Sequence, residues 1–294
     1  MTMIDVKDIS KRIKERQILE GISFKIGEGE CVALIGPNGA GKTTLMSCLL
    51  GDLFVTSGCI TIQERQVTDP TLKKVVGILP QENVVPATLK VKELITFFQR
   101  IYPHSLSNQE VDDLLCFSPE KKNQLAEKLS GGQKRLLSFI LILIGRPSIL
   151  FLDEPTTAMD TSTRQRFWEI IHSLKESGVT ILYSSHYIEE VEHTADRILV
   201  LHKGKLLRDT TPFKMRSEEQ EKQFIIPRDY MFIVEGLENI YGMEVNDDQI
   251  RFMAKDMEAV WQALQDANCP IAEIEMTNKT LLNTLFDTTK EEER

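Results

Sequence analysis

The chain has 294 residues, of which 41% are hydrophobic and 27% are charged, and its formal net charge is −9. These values are typical of a soluble protein with one large domain or two smaller ones. No apolar run reaches the ~18 residues of a membrane-spanning helix, and the acidic, alternating N-terminus argues against a signal peptide.

The negative charge is concentrated in the C-terminal part of the chain. Residues 207–294 contain 10 Lys and Arg and 19 Asp and Glu, so they carry the whole formal charge of −9. This shift predicts a second module. It also argues against a nucleic-acid partner, because a nucleic-acid-binding tail is normally basic.

The cysteines favour a reducing compartment. The sequence has five of them and no C-x-x-C pair, which is typical of reduced, mostly buried thiols in a cytosolic protein. They are Cys31, Cys48, Cys59, Cys116 and Cys269.

The first 206 residues predict strands that alternate with helices. Short antiparallel strands are expected at "MIDVKDI", "ILEGISFKI" and "CVALI", and further strands at "CITI", "KKVVGILPQ", "SILFLDEP" and "VTILYSS". Helices are expected over 41–51, 92–102, 108–117, after Ser130, over 163–178 and at "YIEEVEHTA", followed by a hairpin at "RILVLHKGKLLR". The alternation predicts an α/β domain with a largely parallel sheet.

The tail predicts a small α+β module over residues 217–294. "SEEQEKQ" is expected to be a polar connector, and "QIRFMA" and "CPIAEIEM" are expected to be strands. "DMEAVWQALQDAN" predicts a helix between these strands, and "NKTLLNTLF" predicts a final helix.

The stretch "LIGPNGAGKTTL", residues 34–45, matches the spacing G-x-x-x-x-G-K-[ST]. Glycines let backbone N–H groups surround phosphate oxygens, Lys42 can reach the terminal phosphates, and the Thr43 hydroxyl suits Mg²⁺. A plain Gly-rich turn is the alternative, which the strand before the loop and the helix after it disfavour. The residues predicted to bind nucleotide here are Gly36, Asn38, Gly39, Ala40, Gly41, Lys42, Thr43 and Thr44.

Two carboxylates follow a predicted buried strand in "ILFLDEP". Because ligands of parallel sheets lie beyond the carboxyl ends of the strands, Asp153 can hold Mg²⁺ and Glu154 can polarise a water that attacks the γ-phosphate. Two solvated acids at a strand end are the alternative, and they would be preferred without the phosphate loop.

"LSGGQKR" begins at Leu129 and opens a predicted helix with two glycines, which makes a second anion site. A chain that already holds one triphosphate has no use for another such site, whereas two facing chains do. Each chain could offer this segment to the nucleotide of the other. The residues predicted to act in this way are Ser130, Gly131, Gly132 and Gln133.

Over about residues 1–208 the sequence resembles the ATP-hydrolysing subunit of an ABC transporter. Six motifs stand in the family's order: the phosphate loop, Gln81 in "ILPQ", "LSGGQ", Asp153-Glu154, Asp160 in "AMD" and His186 in "SSHYIEE". The resemblance implies a P-loop core with an antiparallel β edge and a helical subdomain over about 82–145.

The resemblance also implies roles for single residues. Gln81 would sense Mg²⁺ and couple to the membrane partner, His186 would contact the γ-phosphate, and Asp160 would cross the dimer interface. The implied catalytic residues are Glu154, His186 and Gln81, and the implied Mg²⁺ ligands are Thr43, Gln81 and Asp153. Without the resemblance, Gln81 would be interpreted as a polar loop residue and His186 as a structural histidine.

The sequence departs from the family at the position that usually stacks on adenine. Ile13 stands there, and no Phe, Tyr or Trp occurs between Lys7 and Gly21. Met159 replaces the usual leucine beside Asp160, and the helical subdomain is slightly short. The first departure predicts weak recognition of the base by stacking.

The ending "MTNKTLLNTLFDTTK" resembles the C-termini of ATPases that serve drug, antibiotic-peptide and polysaccharide exporters. We therefore expect an export ATPase that binds ATP and Mg²⁺, pairs with a second ATPase subunit as a homo- or heterodimer, and acts through a separate transmembrane permease at the cytoplasmic face of the membrane. The alternatives are a soluble ABC ATPase of translation or DNA repair, and a P-loop kinase or GTPase. The single cassette argues against the former and "LSGGQ" against the latter.

Overall fold

The computed structural model describes residues 1–82, 85–86, 88–186, 188–218, 222–238 and 240–278. The chain divides into two compact units, Met1–Thr211 and Pro212–Arg294. In the described part of the chain, no helix has the length and apolar character needed to cross a bilayer.

The elements of the first unit follow the order that the sequence predicts. Its strands are β1 (Thr2–Ile13), β2 (Arg16–Gly27), β3 (Cys31–Ile35), β4 (Ser57–Ile62), β5 (Arg65–Gln66), β6 (Val76–Leu79), β7 (Ile149–Leu152), β8 (Thr180–Ser185), β9 (Arg197–His202) and β10 (Lys205–Thr210). Its α-helices are α1 (Lys42–Leu49), α2 (Val91–Ile101), α3 (Asn108–Leu115), α4 (Pro119–Asn123), α5 (Gly131–Leu143), α6 (Thr161–Glu176) and α7 (Ile188–Thr194). Short 3-10 helices occupy Pro70–Lys74 and Ala126–Lys128.

The central sheet has the strand order β10-β9-β3-β8-β7-β6, and all neighbours pair in parallel except β10 with β9. The sequence-based assignment of "CVALI" to an antiparallel set was wrong, because β3 lies between β8 and β9. Every residue of β3 is buried. A continuous apolar run is typical of a strand that is covered on both faces, whereas the second half of β2 alternates between buried and exposed residues.

A second sheet, with the order β2-β1-β4-β5, forms the antiparallel edge. β1 and β2 have 12 residues each, so they are longer than the short strands predicted from the sequence. The inward residues of this sheet share one apolar core with α1 and β3. The core includes Ile4, Val6, Ile9, Ile22, Ile26, Leu34, Leu45 and Leu49.

The predicted strand "KKVVGILPQ" is shorter than expected, because the 3-10 helix Pro70–Lys74 occupies its first residues and β6 spans only Val76–Leu79. The region after it is helical, as expected. α2 buries Val91, Leu94 and Ile95. α5 is buried along most of its length, as expected for the longest apolar stretch of the chain.

The second unit is a four-stranded antiparallel sheet with helices. It contains α8 (Pro212–Glu218), β11 (Lys222–Pro227), α9 (Met231–Val234), β12 (Ile240–Val245), β13 (Gln249–Ala254), α10 (Met257–Asp266) and β14 (Glu275–Asn278). The strand order is β12-β13-β11-β14. Its core is separate from the first and includes stacked rings of Phe224 and Phe252, 5.5 Å apart, and Val260 and Leu264 of α10.

Sequence reasoning was right for β13 and α10 but missed β11 and β12. "SEEQEKQ" is not only a connector, because Ser217 and Glu218 end α8 and Lys222 begins β11. "CPIAEIEM" divides into a 3-10 helix at Ile271–Glu273 and the start of β14. The predicted final helix "NKTLLNTLF" lies outside the described residues beyond Asn278.

Candidate active site

The strands β3, β8, β7 and β6 are consecutive parallel neighbours in the central sheet. Their carboxyl ends therefore lie along the same edge of the sheet. A pocket of about 500 Å³ opens at this edge. The described residues that line it are Arg16, Gln17, Ile18, Asn38, Gly39, Gly41, Lys42, Thr43, Thr44, Gln81, Glu154 and Lys203. The phosphate loop, Gln81 and Glu154 are therefore brought together, as the sequence predicts.

Two positions of the phosphate loop require glycine, Gly36 because of a close backbone contact and Gly41 because of its left-handed backbone. A Cβ at Gly36 would lie 2.1 Å from the carbonyl oxygen of Leu201. Gly41 has φ +105°, in a region that L-residues rarely adopt, and a Cβ there would lie 2.8 Å from Leu19 Cδ2. Gly41 also caps α1 without a side-chain hydrogen bond. The loop is thus fixed, and the helix N-terminus keeps donors for an anion.

Lys42 points back into the loop that carries it. Its side chain is buried, and Nζ donates to the carbonyl oxygens of Gly36 at 2.8 Å and Pro37 at 3.2 Å. Burial lowers the pKa of Lys42, and the carboxylates of Glu154 and Asp153 oppose that shift. In the described part of the chain, this buried ammonium group donates its hydrogen bonds to neutral carbonyls, so it is well placed to bind an anion that enters the loop.

Ser184 ties together the two strands behind the acidic pair. Its hydroxyl donates to Asp153 Oδ1 at 2.5 Å and accepts from the backbone N–H of Glu154 at 2.8 Å. Both Ser184 and Asp153 are buried. Sequence reasoning assigned no role to Ser184, although the apolar run of β8 ends in two serines, which was the available signal.

Glu154 lies at the centre of a group of three polar side chains. Its Oε2 accepts from Gln81 Nε2 at 3.2 Å, and its Oε1 lies 3.7 Å from His186 Nδ1. Glu154 has φ +45°, a left-handed conformation that costs free energy in a residue with a side chain. Backbone strain of this kind is common where a functional side chain must be held in one orientation. The structure thus joins the three residues that the resemblance implied to be catalytic.

The oxygen ligands at this edge fit Mg²⁺ bound together with a nucleotide. In the described part of the chain, no three His, Cys, Asp or Glu side chains form a cluster that could hold a metal ion. Mg²⁺ is usually bound through one or two carboxylates and completes its shell with substrate phosphates and other oxygen ligands such as water. The Thr43 hydroxyl, the Gln81 amide and the Asp153 carboxylate supply hard oxygen ligands of this kind.

None of the residues of the "LSGGQ" segment is among the described residues that line the pocket of the same chain. Ser130 and Gln133 cap α5 reciprocally: Gln133 N donates to Ser130 Oγ at 3.3 Å, and Ser130 N donates to Gln133 Oε1 at 3.2 Å. A Cβ at Gly132 would lie 3.0 Å from Met159 Cα, so glycine permits close packing on the turn before Asp160.

Asp160 is the N-cap residue of α6. Its Oδ1 accepts from the backbone N–H of Thr163 and from the hydroxyl of Ser162, both at 2.8 Å. These hydrogen bonds lower the pKa of Asp160, and the bond from the Thr163 backbone has the largest effect. The side chain is exposed at the N-terminus of the helix.

Ile13 lies at the end of β1, opposite Arg16 of β2, and its side chain is 41% exposed. It is not among the described residues that line the pocket, whereas Arg16, Gln17 and Ile18 are. Sequence reasoning missed these three residues because it sought an aromatic side chain. Lys203 of the β9–β10 turn was missed as a lining residue as well.

Similarity to known proteins places the chain in a family. A sequence model of the ABC transporter family matches residues 19–157. A Nod factor export ATP-binding protein of Rhizobium etli is 34% identical over 224 residues, which are 74% of this chain and 71% of that protein. The chain belongs to the ATP-binding proteins of the ABC transporter family.

Other relatives of this ABC protein agree with the assignment. A linearmycin resistance ATP-binding protein of Bacillus subtilis is 34% identical over 70% of this chain and 68% of that protein. A solved structure of the ATP-binding subunit of an ABC transporter superposes with a TM-score of 0.65 at 25% identity, over 74% of this chain and 92% of that one. The predicted α/β fold and the predicted ATPase class are confirmed.

Proposed function

We propose that this ABC ATPase powers the export of a substrate through a separate transmembrane permease. The observation that carries the proposal is the group formed by Glu154, Gln81 and His186 beside the phosphate loop. The names of the two relatives, for Nod factor export and linearmycin resistance, favour an exporter over other ABC ATPases.

The phosphate loop binds the triphosphate of ATP. Backbone N–H groups of residues 38, 39 and 41–44, which include the N-terminus of α1, surround the phosphate oxygens. Lys42 exchanges its carbonyl contacts for the terminal phosphates. Mg²⁺, held by Thr43, Gln81 and Asp153, would neutralise phosphate charge in the site. Ser184 keeps the Asp153 carboxylate in place.

Glu154 orients the attacking water. A carboxylate can accept a hydrogen bond from that water and draw its proton as the bond to phosphorus forms. Gln81 donates to one carboxylate oxygen of Glu154, and His186 lies beside the other. From there His186 would contact the γ-phosphate of bound ATP. The three side chains come from three separate loops, so the site depends on how these loops are arranged.

Two ATPase subunits pair to complete each site. Ser130, Gly131, Gly132 and Gln133 are not among the described residues that line their own pocket, and they act on the nucleotide held by the partner. Asp160 lies next to Met159, which packs on Gly132, so it reaches the same interface. The pair is a homodimer or a heterodimer.

The helical region at residues 82–145 contacts the permease at the cytoplasmic face of the membrane. Phe97 and Ile101, one turn apart on α2, are 56% and 53% exposed, respectively. Two large apolar side chains on one helical surface are a typical contact site for a protein partner. Residues 1–208 are the ATPase domain, and the acidic module at 217–294 is a separate part.

The test of this function is affinity purification of the tagged chain from detergent-solubilised membranes, which should recover a multi-span membrane protein. The complex in detergent should hydrolyse ATP and should lose the tagged ATPase when Phe97 and Ile101 are both changed to Asp. The matched control is Lys92→Asp, which is exposed on the same helix and should keep the complex. Recovery of the wild-type protein on ribosomes, with no binding to the membrane protein, would contradict the export function.

A further inference from the structure

Arg135 of α5 is a buried cation that donates its hydrogen bonds to backbone carbonyls among the residues that the structure describes. The side chain is 1% exposed. Nε donates to Pro155 O at 3.1 Å, and Nη2 donates to Asp153 O at 2.7 Å and Glu154 O at 3.2 Å. Nη1 donates to Gln81 O at 3.2 Å and to the carbonyl of Pro80.

These bonds use the full donor capacity of a guanidinium group, which has five N–H donors in a rigid plane. Desolvation by burial lowers the pKa of Arg135 to about 10, and Asp153 and Glu154 oppose the shift. Arg135 therefore stays charged at neutral pH. A buried charge is costly unless hydrogen bonds compensate for the lost water. The carbonyls that bind Arg135 are therefore held close to their present positions.

The five carbonyls belong to two segments of the proposed catalytic group. Pro80 and Gln81 follow β6, and residues 153–155 follow β7. The left-handed backbone of Glu154 lies in the second segment. A strained conformation persists only when its surroundings hold it, and Arg135 supplies three of the hydrogen bonds around it.

Arg135 also lies on the helix that begins with the "LSGGQ" segment. It is five residues beyond Ser130, which is about 7.5 Å along a helix axis. Between them, Ser130 and Gln133 form the reciprocal cap of α5. A displacement of this helix end is therefore transmitted to Arg135 through one rigid element.

We propose that Arg135 is a positioning residue that couples the "LSGGQ" segment of a chain to Gln81 and Glu154 of the same chain. The inference rests on the proposed pairing of two ATPase subunits. When the partner's nucleotide draws the start of α5 toward it, Arg135 moves the carbonyls that set Gln81 and Glu154. Each site is thereby made ready for hydrolysis by nucleotide at the other site.

Arg135→Lys separates this role from charge alone. A lysine keeps the cation but has three donors on one nitrogen, so it cannot bind two segments in a plane. The matched control is Lys134→Gln, the neighbouring cation on α5, for which the described structure gives no side-chain contact to the site.

The experiment measures ATP turnover against ATP concentration, equilibrium ATP binding and thermal unfolding for wild type and both variants. We expect a wild-type Hill coefficient above 1. Folded Arg135→Lys should bind ATP within about twofold of wild type, lose at least about tenfold in kcat and give a Hill coefficient near 1, and Lys134→Gln should match wild type. A folded Arg135→Lys with unchanged kcat and Hill coefficient overturns the proposal, as does a wild-type Hill coefficient of 1.

A second measurement does not depend on the folding of an Arg135 variant. Hydrogen exchange of segments 80–82 and 153–157 should slow when Mg·ATP is added to wild type, and should slow less in Ser130→Arg, which blocks contact with the partner. Equal slowing in both proteins overturns the coupling. If wild type forms no ATP-dependent dimer, the proposed pairing of two subunits is wrong. If it forms a dimer and exchange slows equally in both proteins, the pairing stands and the coupling through Arg135 is wrong.

Discussion

The Glu154 carboxylate accepts a hydrogen bond from the side-chain amide of Gln81, with 3.2 Å between Oε2 and Nε2. The two residues are 73 positions apart in sequence. They meet because β6 and β7 are parallel neighbours whose carboxyl ends reach the same edge of the sheet. The contact therefore makes the direction of the Glu154 carboxylate depend on the position of Gln81 in the loop after β6.

Glu154→Gln should lower ATP turnover by at least about 10²-fold, since general base catalysis contributes about 10²–10⁴-fold. The amide keeps the shape of the side chain but cannot draw a proton from water. ATP affinity should change little, because the phosphate loop is intact. The measurement is phosphate release with Glu64→Gln, an exposed turn residue, as the control. Turnover at the wild-type rate would show that Glu154 does not act on the water.

Lys42→Ala should weaken ATP binding by about 10- to 150-fold, because a hydrogen bond to a charged group contributes about 1.5–3 kcal/mol and ~1.4 kcal/mol is tenfold. Thermal unfolding should shift little, because the described hydrogen bonds of Nζ go to carbonyls of its own loop and not to another part of the fold. Calorimetric titration with ATP tests this, with Lys92→Ala as the control. Equal affinity in wild type and Lys42→Ala would remove the phosphate-loop assignment.

Ser184→Ala should lower the free energy of unfolding by about 1–3 kcal/mol, because it leaves the buried Asp153 carboxylate and the Glu154 N–H without this partner. Turnover should fall as well, since both acidic residues lose a positioning contact. Urea denaturation compares the variant with Ser173→Ala, which is exposed on α6. If the two serine variants lose the same stability, the Ser184 bonds contribute nothing specific.

GTP should bind within about tenfold of ATP, a difference of ~1.4 kcal/mol, because no aromatic side chain stands at the position of Ile13 and the phosphates are common to both nucleotides. Ile13→Tyr should tighten both, since base–aromatic stacking contributes ~1–3 kcal/mol in nucleic-acid complexes. The control is Arg12→Tyr on the preceding residue. Strong ATP preference in wild type would mean that other residues, such as Arg16 or Gln17, read the base. No change in Ile13→Tyr would place residue 13 away from the base.

The motif residues of the site could be predicted because each carries its chemistry locally. Lys42 follows a glycine spacing, and Glu154 follows an apolar run. Ser184 and Arg135 could not be assigned in this way, because their partners are 31 and 18–55 residues away and depend on strand order. β3 was wrongly predicted to be antiparallel for the same reason. Its apolar run indicates burial on both faces but not whether the neighbouring strands are parallel or antiparallel.

Two strands of the second unit, β11 and β12, were harder to predict than the rest because polar residues, glycine or proline interrupt their pattern. The residues of β12 after Ile240 are exposed and include Gly242, so they do not alternate as a half-buried strand does. β11 begins with Lys222 and Gln223 and ends in Pro227. Proline argues against a central strand, so the sequence did not indicate that β11 pairs with both β13 and β14. α10 was predicted correctly because Val260 and Leu264 follow helical spacing.

The central claim is that ATP joins two of these subunits and that Glu154 then hydrolyses it. Sedimentation of Glu154→Gln with and without Mg·ATP tests this claim most directly, because the variant binds ATP and does not consume it. We predict a monomer without nucleotide and a dimer with Mg·ATP, and a monomer again when Ser130→Arg is added to the variant. An ATP-bound Glu154→Gln that stays monomeric at concentrations well above its ATP dissociation constant would contradict the account.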